Sequence, residues 1–299
     1  MPAFLDIKVQ MPVLYNSYYI YVGGEEFMVY VTGDCHGDFR RFSKKGQKNS
    51  GIKIADDDYI IVCGDFALLW AKNRELEYNL RWFSQLPYTV LWVQGNHENY
   101  NMIEGYPLEE WHGGKVRHIV RDKVILLERG QVFTIEDKTF FTFGGASSHD
   151  ISGGILDRGS PAYKADYRRA KRSGKPFRIL NESWWEHELP DEAEFEEGSR
   201  NLARAGYKVD YVISHCGSNR LQEALECYYM SPGWFGQDIL TNYFEELEDK
   251  LQYKHWFCGH YHEDLRMDSR HTILYHSVVP VESGGVYIRV NKAGFPNQG

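Results

Sequence analysis

The chain has 299 residues and a formal net charge of −8, from 34 basic and 42 acidic side chains. This length suffices for one large α/β domain or two small ones. The acidic balance argues against a general nucleic-acid binder, which needs a basic face, but it does not exclude an enzyme that acts on nucleotides. No apolar run approaches the roughly 20 residues of a membrane span, so we expect no membrane partner.

The first 27 residues lack the basic start and apolar core of a signal peptide. They could add an edge strand or hairpin, or form an N-terminal extension (1–27) ahead of a main domain (28–299). The five cysteines have no regular spacing, which favours a reducing compartment and a cytoplasmic location. Four of them could be thiolate ligands, although small buried residues at strand ends need no such role. These four are Cys35, Cys63, Cys216 and Cys258.

Five short apolar runs end abruptly in Gly, Asp or His residues, and each is predicted to be a buried strand. Open α/β sheets place their sites at the carboxyl ends of such strands. In chain order, the runs are Met28–Val31, Tyr59–Val62, Val90–Val93, Tyr211–Ile213 and His255–Cys258. The motifs that follow them contain Asp34 and His36, Asp65, Asn96 and His97, His215, and His260 and His262.

The spacing of these motifs favours neighbouring parallel strands. Asp34 to Asp65 and Asp65 to Asn96 are both 31 positions, and about 30 residues make one strand–helix–strand unit. Side chains two apart in an extended chain point the same way, so Asp34 with His36, and His260 with His262, can each reach one metal ion. Asn96 and His97 are adjacent and point apart, so one can bind metal while the other faces substrate.

The rest of the chain is predicted to alternate helices with further short strands. Helical spacing or charge favours helices over Asp38–Lys48, Asn73–Leu86, Asp191–Ala205 and Asp238–Leu251. Short alternating runs predict an antiparallel sheet made of Val116–Val120, Val124–Leu127, Gln131–Ile135 and Thr139–Phe143. Leu265–Met267, Thr272–Tyr275 and Gly285–Val290 are predicted closing strands.

A charged segment at about 145–208 differs in composition and is predicted to be an insert over the site, not a separate domain. Asn181 or Ser183 could cap a helix there. The pair Trp184-Trp185 is interpreted as a hydrophobic clamp for the insert rather than a base-stacking platform. His149-Asp150 follows a predicted strand in a Gly-rich loop, so these two residues are weaker candidates for lining the site.

The five motifs in order resemble the calcineurin-like metallophosphoesterases over nearly the whole chain, from about Val29 to Val290. The resemblance implies a two-sheet α/β sandwich flanked by helices. It implies one divalent metal held by Asp34, His36 and His262, a second held by Asn96, His215 and His260, and Asp65 bridging both. His97 is then free to act as the general acid, and a hydroxide shared by the two ions would be the nucleophile.

The ligand chemistry agrees with that resemblance. Two ions roughly 4 Å apart lower the pKa of a shared water and neutralise phosphate oxygens. Mixed imidazole and carboxylate ligands suit Mn, Fe, Zn or Ni better than Mg or Ca, and Mn is the first choice. The expected reaction is hydrolysis of a phosphate mono- or diester, with a small or nucleotide-like substrate. A nuclease, a phosphoprotein phosphatase and a non-enzymatic scaffold are the alternatives.

The second motif departs from that of the protein Ser/Thr phosphatases, which read Gly-Asp-x-x-Asp-Arg-Gly. Leu68 stands where those enzymes have the Asp that supports the catalytic His, and Leu69 where they have the phosphate-binding Arg. This puts phosphoprotein phosphatase activity in doubt, and another group must orient His97, with Glu98 one candidate. The substrate-side cation must then come from elsewhere, and the candidates in the insert are Arg158, Lys164 and Arg178.

Overall fold

The computed structural model describes residues 28–285. Its strands, in chain order, are β1 (Val29–Thr32), β2 (Tyr59–Val62), β3 (Thr89–Trp92), β4 (Glu109–Trp111), β5 (Gly114–Val120), β6 (Val124–Leu127), β7 (Gln131–Ile135), β8 (Lys138–Phe143), β9 (Ile155–Leu156), β10 (Arg178–Ile179), β11 (Tyr211–Ser214), β12 (His255–Cys258), β13 (Leu265–Arg266), β14 (His271–Ile273) and β15 (Val278–Pro280). Its α-helices are α1 (Lys44–Ser50), α2 (Arg74–Phe83), α3 (Tyr100–Ile103), α4 (Tyr163–Ser173), α5 (Glu192–Arg204), α6 (Asn219–Tyr229) and α7 (Ile239–Lys250).

Two mixed sheets form the body of the fold. The first has the strand order β15-β1-β2-β3-β6-β5-β4, and the second has the order β13-β14-β12-β11-β8-β7. Strands β1, β2, β3 and β6 are mutually parallel, as are β14, β12, β11 and β8. The inner faces share one apolar core, to which the first sheet contributes Val31 and Ile61 and the second contributes Ile213 and Phe257. The predicted two-sheet sandwich is therefore confirmed.

Helices cover both outer faces because the strands are apolar on both sides. In β2, Ile61 faces the shared core, whereas Ile60 and Val62 face outward with the α2 residue Phe83, as period-2 alternation requires. On the second sheet, Val212 packs outward with Phe244 of α7. None of the helices within residues 28–285 combines the length and apolar character that crossing a bilayer demands.

The predicted antiparallel sheet at residues 116–143 is wrong in its pairing, although all four strands exist. Strands β5 and β6 form a hairpin in the first sheet, and β7 and β8 form a hairpin in the second. Strand β6 then pairs in parallel with β3, and β8 with β11. Alternation along a strand specifies which face is buried, but not which neighbour it joins.

Other predicted elements are corrected in detail. The helix predicted over Asp38–Lys48 is a short 3₁₀ turn, Arg40–Phe42, followed by α1, which Ser43 caps. Helices α4 and α6 were not anticipated. Neither Asn181 nor Ser183 caps a helix: the Ser183 hydroxyl accepts a hydrogen bond from the peptide N–H of Ile179 at 2.9 Å. Residues 1–27, and the closing strand predicted at 285–290 beyond Gly285, lie outside the described residues.

The segment between β8 and β11 lies over the ends of the strands and is held there by a buried arginine. Arg129, whose side chain is 2% exposed, donates hydrogen bonds to the carbonyl of Gly144 and to the Tyr100 hydroxyl. It also pairs with Glu194, 2.9 Å away in the first turn of α5. Asp191 caps α5 and forms a capping box with Glu194. The Glu194 carboxylate therefore both stabilises the start of α5 and pairs with Arg129.

Candidate metal centre

The predicted ligand side chains converge at the carboxyl ends of five strands, three from the first sheet and two from the second. Asp65 lies between two groups of these side chains. Its Oδ2 is 3.8 Å from Nε2 of His36, and its Oδ1 is 3.3 Å from Nε2 of His215. The structure thus brings together all seven residues that the motifs predict as ligands, namely Asp34, His36, Asp65, Asn96, His215, His260 and His262.

The first group contains Asp34, His36 and His262. Nε2 of His262 lies 3.3 Å from Oδ2 of Asp34, and Nε2 of His36 lies 3.6 Å from the same oxygen. The two ring nitrogens are only 2.9 Å apart. Oδ2 of Asp34 is fully buried and accepts no hydrogen bond within the described residues. A buried carboxylate oxygen without a donor, faced by two imidazole nitrogens, fits a cation bound between them.

The second group centres on the side-chain carbonyl oxygen of Asn96. This Oδ1 atom lies 3.1 Å from Nε2 of His215 and 3.1 Å from Nδ1 of His260. Nδ1 of the His215 ring lies 2.7 Å from the carbonyl oxygen of Cys63 and donates to it. That hydrogen bond directs Nε2 of His215, with its lone pair in the neutral ring, toward Asn96 and Asp65. Three electron-pair donors meeting at one point again fit a cation.

The local backbone is shaped to admit these side chains. A Cβ at Gly95 would lie 2.0 Å from Oδ1 of Asp65, and a Cβ at Gly259 would lie 2.2 Å from Oδ1 of Asp34. Only glycine therefore allows the motif loops to pass so close to the carboxylates. Four of the seven residues also have positive φ, which is uncommon outside glycine and concentrates at functional sites. They are His36 (46°), Asp65 (48°), His260 (69°) and His262 (54°).

The electrostatics of the centre favour bound positive charge. Burial would raise the pKa of Asp65, but the adjacent His215 lowers it to about 2. Burial likewise opposes charge on His215, yet the field of Asp65 and Asp34 raises the pKa of its ring to about 9. The two buried carboxylates thus outweigh desolvation in stabilising a cation nearby, and a divalent ion would exploit the same field.

The four cysteines beside the motifs have another role. Burial raises the pKa of the thiol of Cys35 to about 12, and the pKa values of the thiols of Cys63, Cys216 and Cys258 lie well above their usual range. No cysteine in the described part of the chain joins the clusters of potential metal ligands. These residues are small core side chains at strand ends, and Cys63 contributes to the centre only through its carbonyl oxygen.

Comparison with known proteins decides the family. The sequence model described as calcineurin-like phosphoesterase matches residues 27–264. The chain belongs to the calcineurin-like phosphoesterase family. Among solved structures, it is similar to phosphopantetheinyl hydrolase (PptH) from Mycobacterium tuberculosis, at 15% identity and a TM-score of 0.38, over 91% of this chain and 99% of that chain. No curated protein matches the sequence significantly.

As a member of the calcineurin-like phosphoesterase family, this protein is a phosphoric ester hydrolase. Enzymes of this family depend on two metal ions. The described residues include clusters that can hold such ions. In one of them the Nδ1 or Nε2 atom of His97 joins His36 and Asp65, all within 4.8 Å of one another. His97 therefore lies close enough to the centre to be either a ligand or a group that acts on the substrate.

The segment between β8 and β11 supplies side chains that lie against the His97 ring. Nη2 of Arg178 lies 3.4 Å from Nδ1 of His97, and the Arg178 guanidinium pairs with Asp150 through a 2.9 Å hydrogen bond from Nε to Oδ1. Partial burial lowers the pKa of His97, and Asp65 offsets this only in part. Glu98 instead accepts the peptide N–H of Phe66 at 2.9 Å, so its carboxylate holds the second motif loop.

The sequence candidates in the insert separate clearly in the structure. Arg158 is 57% exposed and pairs with Glu182 at the surface, and Lys164 is exposed. The His149 ring lies 5.8 Å from the His260 ring and so does border the centre. Trp185 is fully buried and meets the Trp70 ring edge-on at 5.8 Å.

Sequence reasoning missed Ser148, whose hydroxyl accepts a hydrogen bond from Nδ2 of Asn96 at 3.3 Å. This contact turns the Asn96 amide so that its oxygen faces His215 and His260. Ser148 lies in the Gly-rich loop after β8, next to His149 and Asp150, which the sequence indicates as candidates for lining the site. A hydroxyl in a loop carries no periodic or motif signal, so only the fold reveals this role.

Proposed function

We propose that this protein hydrolyses a phosphate mono- or diester of a small or nucleotide-like molecule at the centre around Asp65, with His97 as general acid. The observation that carries the proposal is the convergence of the motif side chains around Asp65 and Asp34, where a buried oxygen of Asp34 has no hydrogen-bond donor among residues 28–285. Such an arrangement is costly without a cation. It is suited to stabilising charge on a phosphoryl group.

In this proposal Asp34, His36 and His262 would hold one divalent ion, Asn96, His215 and His260 would hold the other, and Asp65 would be shared between them. The proposal rests on the distances within each group and on the position of Asp65 between them. When bound, the two ions would supply an activated water and neutralise phosphate oxygens. The mixture of carboxylate and amide oxygens with imidazole nitrogens suits Mn, Fe, Zn or Ni, and we propose Mn as the first choice.

His97 is proposed as the general acid because the Asn96 side chain lies between His215 and His260, while the His97 ring lies beside His36 and Arg178. The His97 peptide N–H donates to Oδ1 of Asp65 at 2.7 Å, which ties the ring to the centre. Hydrolysis joins a water oxygen to phosphorus and breaks the bond from phosphorus to the ester oxygen. His97 gives its proton to that departing oxygen, and the ring recovers a proton from water.

Arg178 is proposed as the cation that binds the phosphoryl group. Its side chain is 17% exposed, and Asp150 holds the guanidinium beside His97. A guanidinium can donate two hydrogen bonds to phosphate oxygens, which positions the group as well as attracting it. Arg158 lacks this placement because it is paired with Glu182 at the surface. The insert would thus provide the charge that Leu69 cannot.

The alternatives are less well supported. Leu68 and Leu69 are buried in the core beneath α2, so neither position can offer the polar groups of phosphoprotein phosphatases. A nuclease would need a basic groove, and the net charge of −8 does not favour one. A scaffold that had lost activity would be expected to lack ligands, and all seven predicted residues are present. Residues 28–299 as one domain, the insert bounds of about 145–208 and a cytoplasmic location belong to the same proposal.

The decisive test compares Asp65→Asn with Asp56→Asn, a matched change in the exposed turn that precedes β2. A neutral amide bridges two cations poorly, so Asp65→Asn should lower both metal content and hydrolysis of 4-nitrophenyl phosphate, the latter by more than about 100-fold. Asp56→Asn should change neither quantity. Full occupancy by two ions with near-normal turnover in Asp65→Asn would disprove the assignment.

A further inference from the structure

A cavity opens beside the centre next to His97, and its lining does not include the ion pair of Arg178 and Asp150. Its volume is about 300 Å³. Three segments form its walls: the loop after β1, the loop after β2, and the first two turns of α2. His36 and His97 stand at its inner end, where the cavity meets the proposed metal centre. A group bound here would therefore touch the proposed general acid directly.

The walls combine four large apolar side chains with two asparagines, Asn73 and Asn79, and one acidic group. Leu68, Leu76, Phe39 and Trp70 line the cavity, and Glu75 is its charged residue. Among the described residues that line it, there is no Lys or Arg. The Asn73 side chain is already engaged, because its oxygen caps α2 by accepting the Leu76 N–H. The chemistry of the walls thus favours an uncharged group with apolar surface.

Trp70 is held in place as the outer wall of the cavity. Its carbonyl oxygen accepts a 2.9 Å hydrogen bond from Nδ2 of Asn99, and its ring packs edge-on against the fully buried Trp185 of the insert. Even so, 37% of Trp70 is exposed. A fixed aromatic ring with free surface can pack against a planar or apolar ligand without first being ordered, which lowers the entropic cost of binding.

The position of His97 separates two parts of a bound ester. Arg178 contacts the His97 ring but does not line the cavity. An acid must lie within hydrogen-bond reach of the departing oxygen, so the organic group must begin next to His97. With the phosphoryl oxygens directed to Arg178 and the metal centre, that group would extend into the cavity.

We propose that this cavity binds the leaving group, and that it selects phosphate esters of a compact, uncharged alcohol with an aromatic or apolar part. The inference rests on the proposed function and adds the class of substrate. The volume is at the lower end of the roughly 300–1,000 Å³ typical of ligand pockets, which favours a single compact group. A second phosphate would meet Glu75 with no cation to balance it, so bisphosphates and diphosphates are disfavoured.

The test uses three primary alkyl phosphates whose departing oxygens are chemically alike: propyl phosphate, 3-phenylpropyl phosphate and 1,3-propanediol bisphosphate. The expected order of kcat/KM is phenylpropyl above propyl above bisphosphate. The advantage of phenylpropyl over propyl should be about tenfold or more, as expected for burying extra apolar groups. Trp70→Ala should reduce that advantage severalfold, because it removes the aromatic wall.

Two charge reversals on α2 provide the matched comparison. Glu75→Lys changes a residue that lines the cavity, whereas Glu77→Lys changes an equally exposed residue that does not. Glu75→Lys should raise kcat/KM for the bisphosphate relative to propyl phosphate by about fivefold, the size expected for an exposed charge. Glu77→Lys should leave that ratio unchanged, and both variants should fold because both positions are exposed.

The outcomes distinguish this inference from the function on which it rests. Hydrolysis of 4-nitrophenyl phosphate, together with a bisphosphate that reacts as well as the phenylpropyl ester, would overturn the inference and leave the function standing. Equal effects of Glu75→Lys and Glu77→Lys would also overturn it. If no ester is hydrolysed with any of Mn, Fe, Zn or Ni, the proposed function fails, and the assignment of a leaving-group cavity fails with it.

Discussion

Replacing Gly95 with alanine should damage the centre without removing any proposed ligand. The new Cβ would lie 2.0 Å from Oδ1 of Asp65 and 2.3 Å from its peptide nitrogen. Contacts below 3.0 Å are essentially never observed for Cβ atoms, so the carboxylate or the Gly95 backbone must move by at least 1.0 Å, the difference between 3.0 and 2.0 Å. Gly95 does not have positive φ, so the contact and not backbone strain causes the effect.

That displacement should slow phosphoester hydrolysis. Oδ1 of Asp65 accepts the peptide N–H of His97 at 2.7 Å, so a shift of the carboxylate also moves the proposed general acid. A misplacement of about 1 Å at a reacting centre can cost roughly 10²-fold in rate. We therefore expect Gly95→Ala to lower kcat/KM for 4-nitrophenyl phosphate by about 100-fold and to reduce metal content.

The assay compares Gly95→Ala with Gly236→Ala, because a Cβ at Gly236 would meet nothing within 4 Å. Turnover, bound metal measured by mass spectrometry, and the midpoint of thermal unfolding are determined for both variants. Gly236→Ala should match the parent protein in turnover and metal content. Normal activity and full metal occupancy in Gly95→Ala would refute the proposal that Asp65 is shared by the two metal ions.

Three further substitutions test separate parts of the proposal. His97→Ala should keep both metals but slow the hydrolysis of alkyl phosphates by about 10²–10⁴-fold. The hydrolysis of 4-nitrophenyl phosphate should slow much less, since a good leaving group needs little acid catalysis. An equal loss of rate across esters of rising leaving-group pKa would exclude the acid role. Arg178→Ala should raise KM roughly 10- to 100-fold by removing a charge-assisted hydrogen bond, whereas Arg158→Ala should change KM little. Equal KM values in the Arg178→Ala and Arg158→Ala variants would show that Arg178 does not bind the substrate. Arg129→Met should destabilise the fold by about 3–5 kcal/mol in urea titrations because it leaves buried partners unpaired, and a loss below about 1 kcal/mol, as for an exposed pair, would contradict its anchoring role.

The sequence by itself indicates the parallel strands and the motif side chains, and its resemblance to one family implies the two-sheet sandwich. Strands such as β2 (Tyr59–Val62) are short apolar runs that end in Gly-Asp, and both features are local. The near-equal spacing of Asp34, Asp65 and Asn96 reflects the length of a strand–helix–strand unit, so it anticipated the neighbouring parallel strands β1, β2 and β3. The resemblance to one family, confirmed over residues 27–264, follows from the order of these motifs.

The sheet to which each strand at residues 116–143 belongs was decided only by the tertiary structure. The runs at residues 116–143 look alike in sequence, yet one hairpin joins the first sheet and the other joins the second. Periodicity reports whether a strand buries one face or both, and it carries no information about its partner. Helices α4 and α6 are not among the predicted elements, although Leu221 and Leu225 recur at helical spacing in α6 and are buried there.

The residues that surround His97 could not be predicted from the sequence for the same reason. Arg178 was one of three cations in a charged segment, and nothing in its local sequence separates it from Arg158. The fold brings Arg178 to His97 by pairing it with Asp150, 28 positions earlier, while Arg158 remains at the surface with Glu182. The sequence determined the family and the candidate metal ligands, because residue types and their spacing are local. The charges and walls that surround His97 depend on contacts between distant segments, which only the packed structure specifies.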